Sequence, residues 1–536
     1  MTSRRRTCRC TALRTASTCP PPPPSCSTRR PASGVSRKGR SNAADALVNY
    51  RDHTLDTPLR SAMNRFDFVI IGAGPAGEAA AYKARARGAS VAIADRDLFG
   101  GSCPFWGCIP SKSLLNAAAR RACGDDYSWE RASARRDYMI NREGIPYPDD
   151  SGHVKGLEAA GATVVRGTAR ITARGRVDVT EGGRAQELAA RNIVIAVGST
   201  TKVPPVEGIE SVHVWTNKEA TGARELPRSL LVLGGGPTGV EMAEVYARFG
   251  VPTTVVQSGE RLLPTDHPRN SEAALKALER DGVKIRLRVR AVRARAGAGS
   301  DGADIIDLDD GSTAQGHAVL LAVGRSFPLD GLGLENVGID VHDRDAIPRD
   351  GRLRIRDGLY VIGDPAGPEL HTHQGHYQGE IAVRMALGDD VTPDYRALPR
   401  ATYTDPELAS VGLTLEGAKE RGLDAFEQVA DFPTTAKGYS VEAAFGHVTI
   451  VVDRDAHGLV GAAMATPDAS AAIHECVLAI KARVPIEVLA DTIHAFPSTS
   501  RVFNGLFNAA AKKLADEEMS DPRDAGHMPM PQASSA

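Results

Sequence analysis

The sequence predicts an α/β protein with two three-layer nucleotide-binding domains and a C-terminal α+β domain. Two glycine-rich loops, at 72–77 and 234–239, each stand between a short apolar run and a helical stretch. Beyond about residue 400 the hydrophobic pattern alternates as in the strands of a separate domain. The 536 residues, 42% of them apolar, suffice for several domains, and the 53 glycines follow no Gly-X-Y period, which excludes a fibrous protein.

Charge is distributed unevenly along the chain. Residues 1–62 hold twelve Arg and Lys against three Asp, a charge of +9, which leaves −10 for the rest of a chain whose net charge is −1. An acidic fold argues against a nucleic-acid binder. No uncharged apolar run approaches the roughly 18 residues of a membrane span. We therefore expect neither a nucleic-acid partner nor a membrane.

The first 62 residues are expected to form a disordered tail. They contain a proline run at 20–24, are rich in Arg and Ser, and hold no Phe or Trp, so they cannot bury enough apolar surface to fold. A transit peptide shares the Arg and Ser content, but the proline run argues against its amphipathic helix. Met63 stands just before the first predicted strand, which favours Met63 as the natural start.

Cysteine usage points to a reducing compartment. Four of the eight cysteines lie in the tail, and the expected fold keeps only Cys103, Cys108, Cys123 and Cys476. These are too few for a disulfide-stapled secreted fold, so we expect a cytoplasmic protein. A close cysteine pair in such a protein is catalytic or metal-binding.

The first glycine loop lies in the context that a dinucleotide-binding unit requires. A strand over 68–71 leads into GAGPAG, an Ala-rich helix runs to Arg87, and a second strand from Ser90 ends at the acid Asp95. The first glycine makes the turn, the second lets a pyrophosphate approach, and the third lets the helix pack on the strand. The three glycines are Gly72, Gly74 and Gly77. Asp95 is placed to accept hydrogen bonds from a ribose diol.

The same pattern recurs with a strand over 230–233, the loop GGGPTG, a helix to Phe249 and a strand over 253–256 that ends at Gln257. An acid at this place would favour NAD and basic residues would favour NADP, so Gln257, with Arg261 nearby, decides neither. A glycine turn without a ligand is the alternative for either loop, but two such units in one chain favour two nucleotide sites. The glycines of this loop are Gly234, Gly236 and Gly239.

Two cysteines lie in the run GGSCPFWGCIPSK at 100–112, directly after the first unit. Pro110 suits a first helical turn, so Cys108 is expected at a helix N-terminus with Lys112 one turn later, and both features favour its thiolate. Beside a bound redox ring, with Cys103 able to close a disulfide, this would be a two-electron relay. A zinc site would need a second ligand pair, and the only dense His run, at 371–376, is far along the chain. An inert structural pair is the other alternative.

These motifs resemble the class I pyridine nucleotide-disulfide oxidoreductases, among them glutathione reductase, dihydrolipoamide dehydrogenase and mercuric reductase. The resemblance covers roughly residues 66–510 and is most specific at 100–112. It implies a homodimer with FAD on the first unit and NAD(P)H on the second. The implied division is a tail (1–62), an FAD-binding domain (63–205 and 329–396), an NAD(P)-binding domain (206–328), a dimerisation domain (397–513) and a disordered tail (514–536).

The resemblance also implies roles for single residues. Cys108 is the charge-transfer thiol next to the flavin, and Cys103 is the interchange thiol that faces substrate. Lys112 lies near flavin N5, and Glu241 is the acid that pairs with it. Asp364 contacts the flavin ribitol. The remaining cofactor residues are Gly101, Ser102, Gly198 and Gly363 for FAD, and Gly324 for NAD(P)H. No metal ion is expected.

The sequence departs from the family pattern at the expected dimer interface. Phe496 and Arg501 stand where the thiol reductases have the His and Glu that act as acid and base, and a phenyl ring cannot carry a proton. His494 could replace the lost group or be a structural residue. Pro237 stands where many relatives have an aromatic side chain over the nicotinamide pocket. Mercuric reductase also has Phe-Pro here, but it ends in a cysteine pair that residues 532–536 lack.

Together these residues predict an FAD-dependent NAD(P)H oxidoreductase that passes two electrons through Cys103 and Cys108 to a small-molecule acceptor. The acceptor is expected to be a disulfide or dihydrolipoamide-type substrate. A mercuric-reductase-like or quinone-reducing flavoenzyme is the alternative among enzymes. From another class, the chain could be a redox-sensing flavoprotein without fast turnover, and steady turnover of NAD(P)H with a small acceptor distinguishes the two classes.

Overall fold

A computed structural model of the protein describes residues 65–141, 148–340 and 347–520. The expected N-terminal tail at 1–62, the expected start at Met63 and residues 521–536 of the expected C-terminal tail lie outside these ranges. No helix within the described ranges is long and apolar enough to cross a membrane.

The strands of the described chain form two largely parallel sheets, one antiparallel sheet and two small ribbons. In chain order they are β1 (Arg65–Ile71), β2 (Val91–Asp95), β3 (Thr163–Arg166), β4 (Thr168–Ala173), β5 (Arg176–Glu181), β6 (Arg184–Ile195), β7 (Thr200–Thr201), β8 (Val214–Trp215), β9 (Leu230–Leu233), β10 (Thr253–Gln257), β11 (Lys284–Leu287), β12 (Ala291–Arg295), β13 (Asp304–Leu308), β14 (Thr313–Gly316), β15 (Ala318–Leu321), β16 (Arg325–Ser326), β17 (Arg354–Arg356), β18 (Leu359–Val361), β19 (Pro399–Thr402), β20 (Glu407–Gly412), β21 (Ala425–Asp431), β22 (His447–Asp453) and β23 (Gly458–Thr466).

The α-helices lie between and around these strands. In chain order they are α1 (Pro75–Ala86), α2 (Ser102–Trp106), α3 (Cys108–Ala122), α4 (Trp129–Asn141), α5 (Ser151–Ala159), α6 (Asn217–Gly222), α7 (Pro237–Arg248), α8 (Pro268–Arg280), α9 (Thr372–Ala386), α10 (Leu415–Glu420), α11 (Ala436–Ser440), α12 (Ala469–Ala472), α13 (His474–Ala482), α14 (Ile486–Asp491) and α15 (Thr499–Ser520).

The first sheet has the order β17-β18-β6-β1-β2-β3, and the hairpin of β4 and β5 extends it from β6. Strand β1 pairs in parallel with β2 and β6, and β6 pairs in parallel with β18. The apolar run of β1 is buried on both faces, as in parallel strands covered by helices. The carboxyl ends of four strands therefore meet at one edge, where the first glycine loop, Asp95, Gly198 and Gly363 follow.

The second sheet repeats this arrangement with the order β11-β10-β9-β15-β8, all in parallel. All residues of β9 and β15 are buried. Gly234, Gln257 and Gly324 lie at its carboxyl edge. Helix α7, which follows the second glycine loop, packs against α3 of the first unit, so the two edges share one space.

The third sheet is antiparallel, with the order β19-β20-β23-β22-β21. Helices α13 and α15 cover it, and Phe503 and Phe507 of α15 are fully buried in its core. The predicted fold class is confirmed, since two nucleotide-binding-type sheets precede a separate α+β domain. The helix predicted over Ser470–Arg483 is divided, because α12 ends at Ala472 and α13 begins at His474.

The last helix continues beyond residue 513, where the polar composition predicts that the fold ends. Helix α15 extends to Ser520, and Leu514 is only 4% exposed in the core of the C-terminal domain. Leu514 lies one turn after Ala510, which is also buried, so the apolar stripe of the helix extends past the expected end.

We expect Leu514→Ala to lower the free energy of unfolding by about 2–5 kcal/mol, because it leaves a cavity in this core. Denaturant unfolding of the purified protein measures the change. Lys512→Ala, at an exposed position of the same helix, is the control and should leave the stability unchanged. Equal stability of the two variants would contradict the packing of Leu514.

Candidate active site

One large cavity of about 2230 Å³ lies between the carboxyl edges of the first two sheets. A site for one small ligand is typically about 300–1,000 Å³, so this space has room for two dinucleotides. Most of the residues predicted to bind a cofactor or carry electrons line it: Gly74, Asp95, Gly101, Ser102, Cys103, Cys108, Lys112, Gly198, Gly234, Gly236, Glu241, Gln257, Gly324, Gly363 and Asp364. The three other predicted glycines, Gly72, Gly77 and Gly239, belong to the two loops but do not line the cavity.

Two different physical reasons explain why glycine stands at the middle and at the last position of each loop. A Cβ on Gly77 would lie 1.9 Å from the carbonyl oxygen of Gly72, so protein packing alone demands glycine there, and Gly239 repeats this contact at 2.1 Å. The middle glycines differ, because a Cβ on Gly74 would have no protein atom nearer than 3.9 Å and one on Gly236 none within 4 Å. Each middle glycine leaves open space at a helix N-terminus, which fits a pyrophosphate approaching the backbone.

The residues at the ends of β2 and β10 brace their loops in the same way. Asp95 Oδ2 accepts a hydrogen bond from Ala73 N at 2.6 Å, and Gln257 Oε1 accepts one from Gly235 N at 2.9 Å. Burial raises the pKa of Asp95. Gln257 carries no carboxylate that could bind a ribose. Arg261 donates to Pro264 O at 2.8 Å and does not line the cavity.

The two cysteines stand on consecutive helices with free thiols. Cys103 is on α2, and Cys108 is the first residue of α3, as the helix-start argument predicts. A hydrogen bond from Cys103 and the charge of Lys112 lower the pKa of Cys108 to about 6 against burial, and the same bond, with burial, raises the pKa of Cys103. Both shifts favour the thiolate form at Cys108 and the thiol form at Cys103.

Lys112 and Glu241 form the ion pair that joins the two nucleotide units. Lys112 Nζ lies 2.9 Å and 2.8 Å from the two carboxylate oxygens of Glu241, which also accepts from Tyr403 N at 3.0 Å. Burial lowers the pKa of Lys112, but the Glu241 carboxylate outweighs it and leaves the pKa raised. The lysine is therefore charged beside the Cys108 thiolate.

We expect the reduced protein to react with iodoacetamide at a rate that follows the Cys108 thiolate, which is present above about pH 6 and lost as the pH falls through this value. Lys112→Met should move the midpoint of the rate-against-pH curve to higher pH, because the nearby cation is gone, and Lys112→Arg should restore it. Lys276→Met, which removes an exposed lysine of α8, is the control. An unchanged midpoint in Lys112→Met would contradict this electrostatic role.

The structure brings further residues to the cavity that the sequence argument missed. Arg325 and Ser199 surround Asp364: Ser199 hydrogen-bonds its carboxylate, and Arg325 donates to Ser199 O at 2.6 Å. Thr372, the first residue of α9, places its Oγ1 3.6 Å from Cys108 Sγ. The sequence signal for Arg325 is its position just after the Val-Gly ending that follows β15, whereas nothing local marks Thr372.

The segment expected to supply acid and base in relatives is built differently. His494 is bound within its own domain, with Nε2 2.5 Å from Glu475 Oε1 and Nδ1 2.9 Å from Thr492 O, which supports a structural role. Phe496 is 73% exposed in the single chain, and Arg501 donates to Asn504. Within the described residues, no group of three or more His, Cys, Asp or Glu is arranged to hold a metal ion.

Comparison with known proteins matches most of the chain to one family. Residues 66–379 match the pyridine nucleotide-disulphide oxidoreductase family, and residues 398–506 match its dimerisation domain. The dihydrolipoyl dehydrogenase of Chlorobaculum tepidum is 32% identical over 454 residues, 81% of this chain and 95% of that protein. That of Bacillus subtilis is 31% identical over 455 residues, with 81% and 94% covered.

Two solved structures share the fold of this chain over most of its length. The Cu(II) complex of the HOCl-induced flavoprotein disulfide reductase RclA from Escherichia coli superposes with a TM-score of 0.74 at 26% identity, over 83% of this chain and 100% of that one. LpdA from Mycobacterium tuberculosis gives a TM-score of 0.75 at 25% identity, with 83% and 99% covered. The predicted family and cofactors are confirmed: the chain belongs to the pyridine nucleotide-disulphide oxidoreductases, enzymes that use FAD and NAD(P)H.

Proposed function

We propose that this enzyme passes two electrons from NAD(P)H, by way of FAD and the Cys103–Cys108 pair, to a disulfide or dihydrolipoamide-type substrate. The observation that carries the proposal is the position of the pair: Cys103 and Cys108 stand on consecutive helices in the cavity that both nucleotide loops line, and Cys108 begins its helix. The dihydrolipoyl dehydrogenases and the flavoprotein disulfide reductase among its relatives support this substrate class.

The residues around the cavity divide into two cofactor sites. The open backbone at Gly74, with Asp95 and Asp364, suits FAD, and the open backbone at Gly236, with Gln257, suits NAD(P)H. When bound, FAD accepts a hydride from NAD(P)H and delivers its electrons to sulfur. The chain itself keeps Lys112 charged through Glu241, holds Cys108 as the thiolate on the flavin side and keeps Cys103 protonated for exchange with substrate.

The assembly and its location complete the proposal. The match of residues 398–506 to a dimerisation domain supports a homodimer, in which the exposed Phe496 would face the partner. We propose the domain division at 63–205 with 329–396, 206–328 and 397–520, with the last boundary moved from 513 to the end of α15. The low cysteine content of the fold supports a cytoplasmic enzyme.

The test is an anaerobic titration of the holoenzyme with NADH and with NADPH, followed by turnover with a panel of acceptors. The panel holds lipoamide, low-molecular-weight disulfides, Hg(II) and quinones. We expect two-electron reduction to produce a long-wavelength absorbance band, and disulfide reduction to consume one NAD(P)H per disulfide. An enzyme that forms the band but turns over none of the acceptors would be a redox sensor instead.

A quinone-reducing or mercuric-reductase-like enzyme is the second candidate, and Phe496 is the observation that favours it. A phenyl ring at the place of the acid and base delivers no proton to a sulfur, and His494 is held by Glu475 and Thr492. Quinones or a thiol-bound metal ion need no proton at sulfur. This candidate predicts that Phe496→His combined with Arg501→Glu raises disulfide turnover and leaves quinone turnover unchanged.

A further inference from the structure

Reduction of a disulfide releases two thiolates, and a nearby acid that protonates them contributes about 10²–10⁴-fold to the rate. In this chain Phe496 cannot serve, and both ring nitrogens of His494 are bonded within the C-terminal domain. A disulfide reductase built on this cavity therefore needs a proton carrier from another part of the fold.

Two histidines reach the dithiol cavity from the start of α9. His371 and His373 flank Thr372, whose Oγ1 lies 3.6 Å from Cys108 Sγ, and both histidines line the same cavity as Cys103 and Cys108. The distance of this His run along the chain argues against a zinc site shared with the cysteines. In the fold, α9 packs against α1, and Thr372 at the start of α9 contacts Cys108.

Hydrogen bonds orient the two rings. His371 Nε2 lies 2.9 Å from Glu369 Oε2, and Arg400 holds this carboxylate through both of its oxygens. His373 Nε2 lies 2.9 Å from the carbonyl oxygen of Pro399, which can only accept, so Nε2 carries the hydrogen. Both bonds use Nε2, which leaves Nδ1 of each ring as the nitrogen that can gain or lose a proton.

The two rings lie close to each other and to charged side chains. The rings are stacked, with centroids 5.0 Å apart and planes 13° from parallel, so two imidazolium charges would repel each other. His373 faces His371, Glu369 and His474, and burial together with His371 lowers its pKa. Burial raises the pKa of Glu369, but hydrogen bonds from His371 and Arg400 outweigh it, so Glu369 is an anion beside His371. This is the carboxylate-and-histidine arrangement that orients a general acid and base.

We propose that the stacked His371–His373 pair, oriented by Glu369, carries protons to and from sulfur during disulfide reduction, within one subunit. The inference rests on the proposed function and deepens it. Both histidines would replace the partner's acid and base that Phe496 and Arg501 have eliminated.

The proposed steps balance in atoms and electrons. The pair removes the proton from Cys103, the Cys103 sulfur attacks the substrate disulfide, and the substrate S–S bond breaks as a mixed disulfide forms. The first leaving thiolate takes the proton from the pair. The Cys108 thiolate then attacks Cys103, breaks the mixed disulfide and closes Cys103–Cys108, and the second thiolate receives a proton that the pair takes from water. Two electrons pass to substrate, and NAD(P)H restores the dithiol by the family's reaction.

The test compares His371→Gln and His373→Gln with His376→Gln, which changes an exposed histidine of α9 outside the cavity. We expect lipoamide kcat/KM to fall about 10²–10⁴-fold in His371→Gln, with the largest loss in the double variant. Quinone turnover and flavin reduction by NAD(P)H should be unchanged. In the histidine variants, the curve of disulfide turnover against pH should lose one of its two limbs. Glu369→Gln keeps both imidazole rings and should shift that limb along the pH axis.

A second measurement needs neither substrate nor turnover. In the Cys108→Ser background, the rate of Cys103 alkylation against pH should move to higher pH when His371 is changed to Gln, because a nearby cation or base favours the Cys103 thiolate. If the double histidine variant keeps the wild-type rate of disulfide turnover and the full pH profile, this inference alone is overturned. A wild-type enzyme that reduces quinones but no disulfide at any pH overturns the proposed function and the inference together.

Discussion

Disulfide turnover should fall by at least about 10³-fold in Cys108→Ser, and the long-wavelength absorbance of the reduced enzyme should disappear. The reason is that Cys108 is the low-pKa thiol, at about 6, and lies at the start of α3 beside Lys112. In the proposed function, Cys108 is the thiolate that faces the flavin and one half of the internal disulfide, and the variant loses both roles. Stopped-flow reduction by NAD(P)H and steady-state turnover of lipoamide measure both effects.

Cys103→Ser should abolish disulfide turnover to the same extent as Cys108→Ser. Unlike Cys108→Ser, it should keep the long-wavelength absorbance band. Cys108 then stays a lone thiolate, and the serine hydroxyl can still donate the hydrogen bond that lowers its pKa, so the band should be present before any reductant is added. Cys123→Ser, at an exposed position of the fold, is the control and should change neither property. An oxidised Cys103→Ser protein that lacks the band would reverse the roles of the two cysteines.

Gly74→Ala should yield a folded protein that binds FAD at least about tenfold more weakly, a change of roughly 1.4 kcal/mol in binding free energy. The new Cβ meets no protein atom nearer than 3.9 Å, so folding has no reason to suffer, but it occupies the space in which a pyrophosphate would approach the backbone. Titration of the apoprotein with FAD measures the affinity, and circular dichroism checks the fold.

The same substitution in the second loop is the matched control. A Cβ on Gly236 also meets no protein atom, within 4 Å, so Gly236→Ala should keep its FAD and raise the KM for NAD(P)H. Each variant thereby controls for the other. Loss of flavin from Gly236→Ala, or full flavin affinity in Gly74→Ala, would contradict the division of the two loops between the two cofactors.

The prediction from sequence succeeded where local pattern controls local structure. The runs before Gly72 and Gly234 form buried parallel strands, the loops enter helices α1 and α7, and Cys108 begins α3. The resemblance also led from Lys112 to Glu241, which lie 129 residues apart and form an ion pair. The polar composition after residue 513 predicts the end of the fold too early, although the apolar spacing of Phe507, Ala510 and Leu514 marks the helix that continues.

Sequence alone predicts the two nucleotide units and the family correctly, and it places Cys108 at the start of a helix, because each of these features depends on contiguous residues. It could not establish which distant side chains meet at the thiols. Thr372 is 264 residues from Cys108, and its contact depends on how α9 packs against α1. The packing of elements that are far apart in the sequence also brings His494 to Glu475 and His371 to the cavity that holds the two cysteines. Such contacts arise from the summed burial of whole elements, which no local spacing encodes.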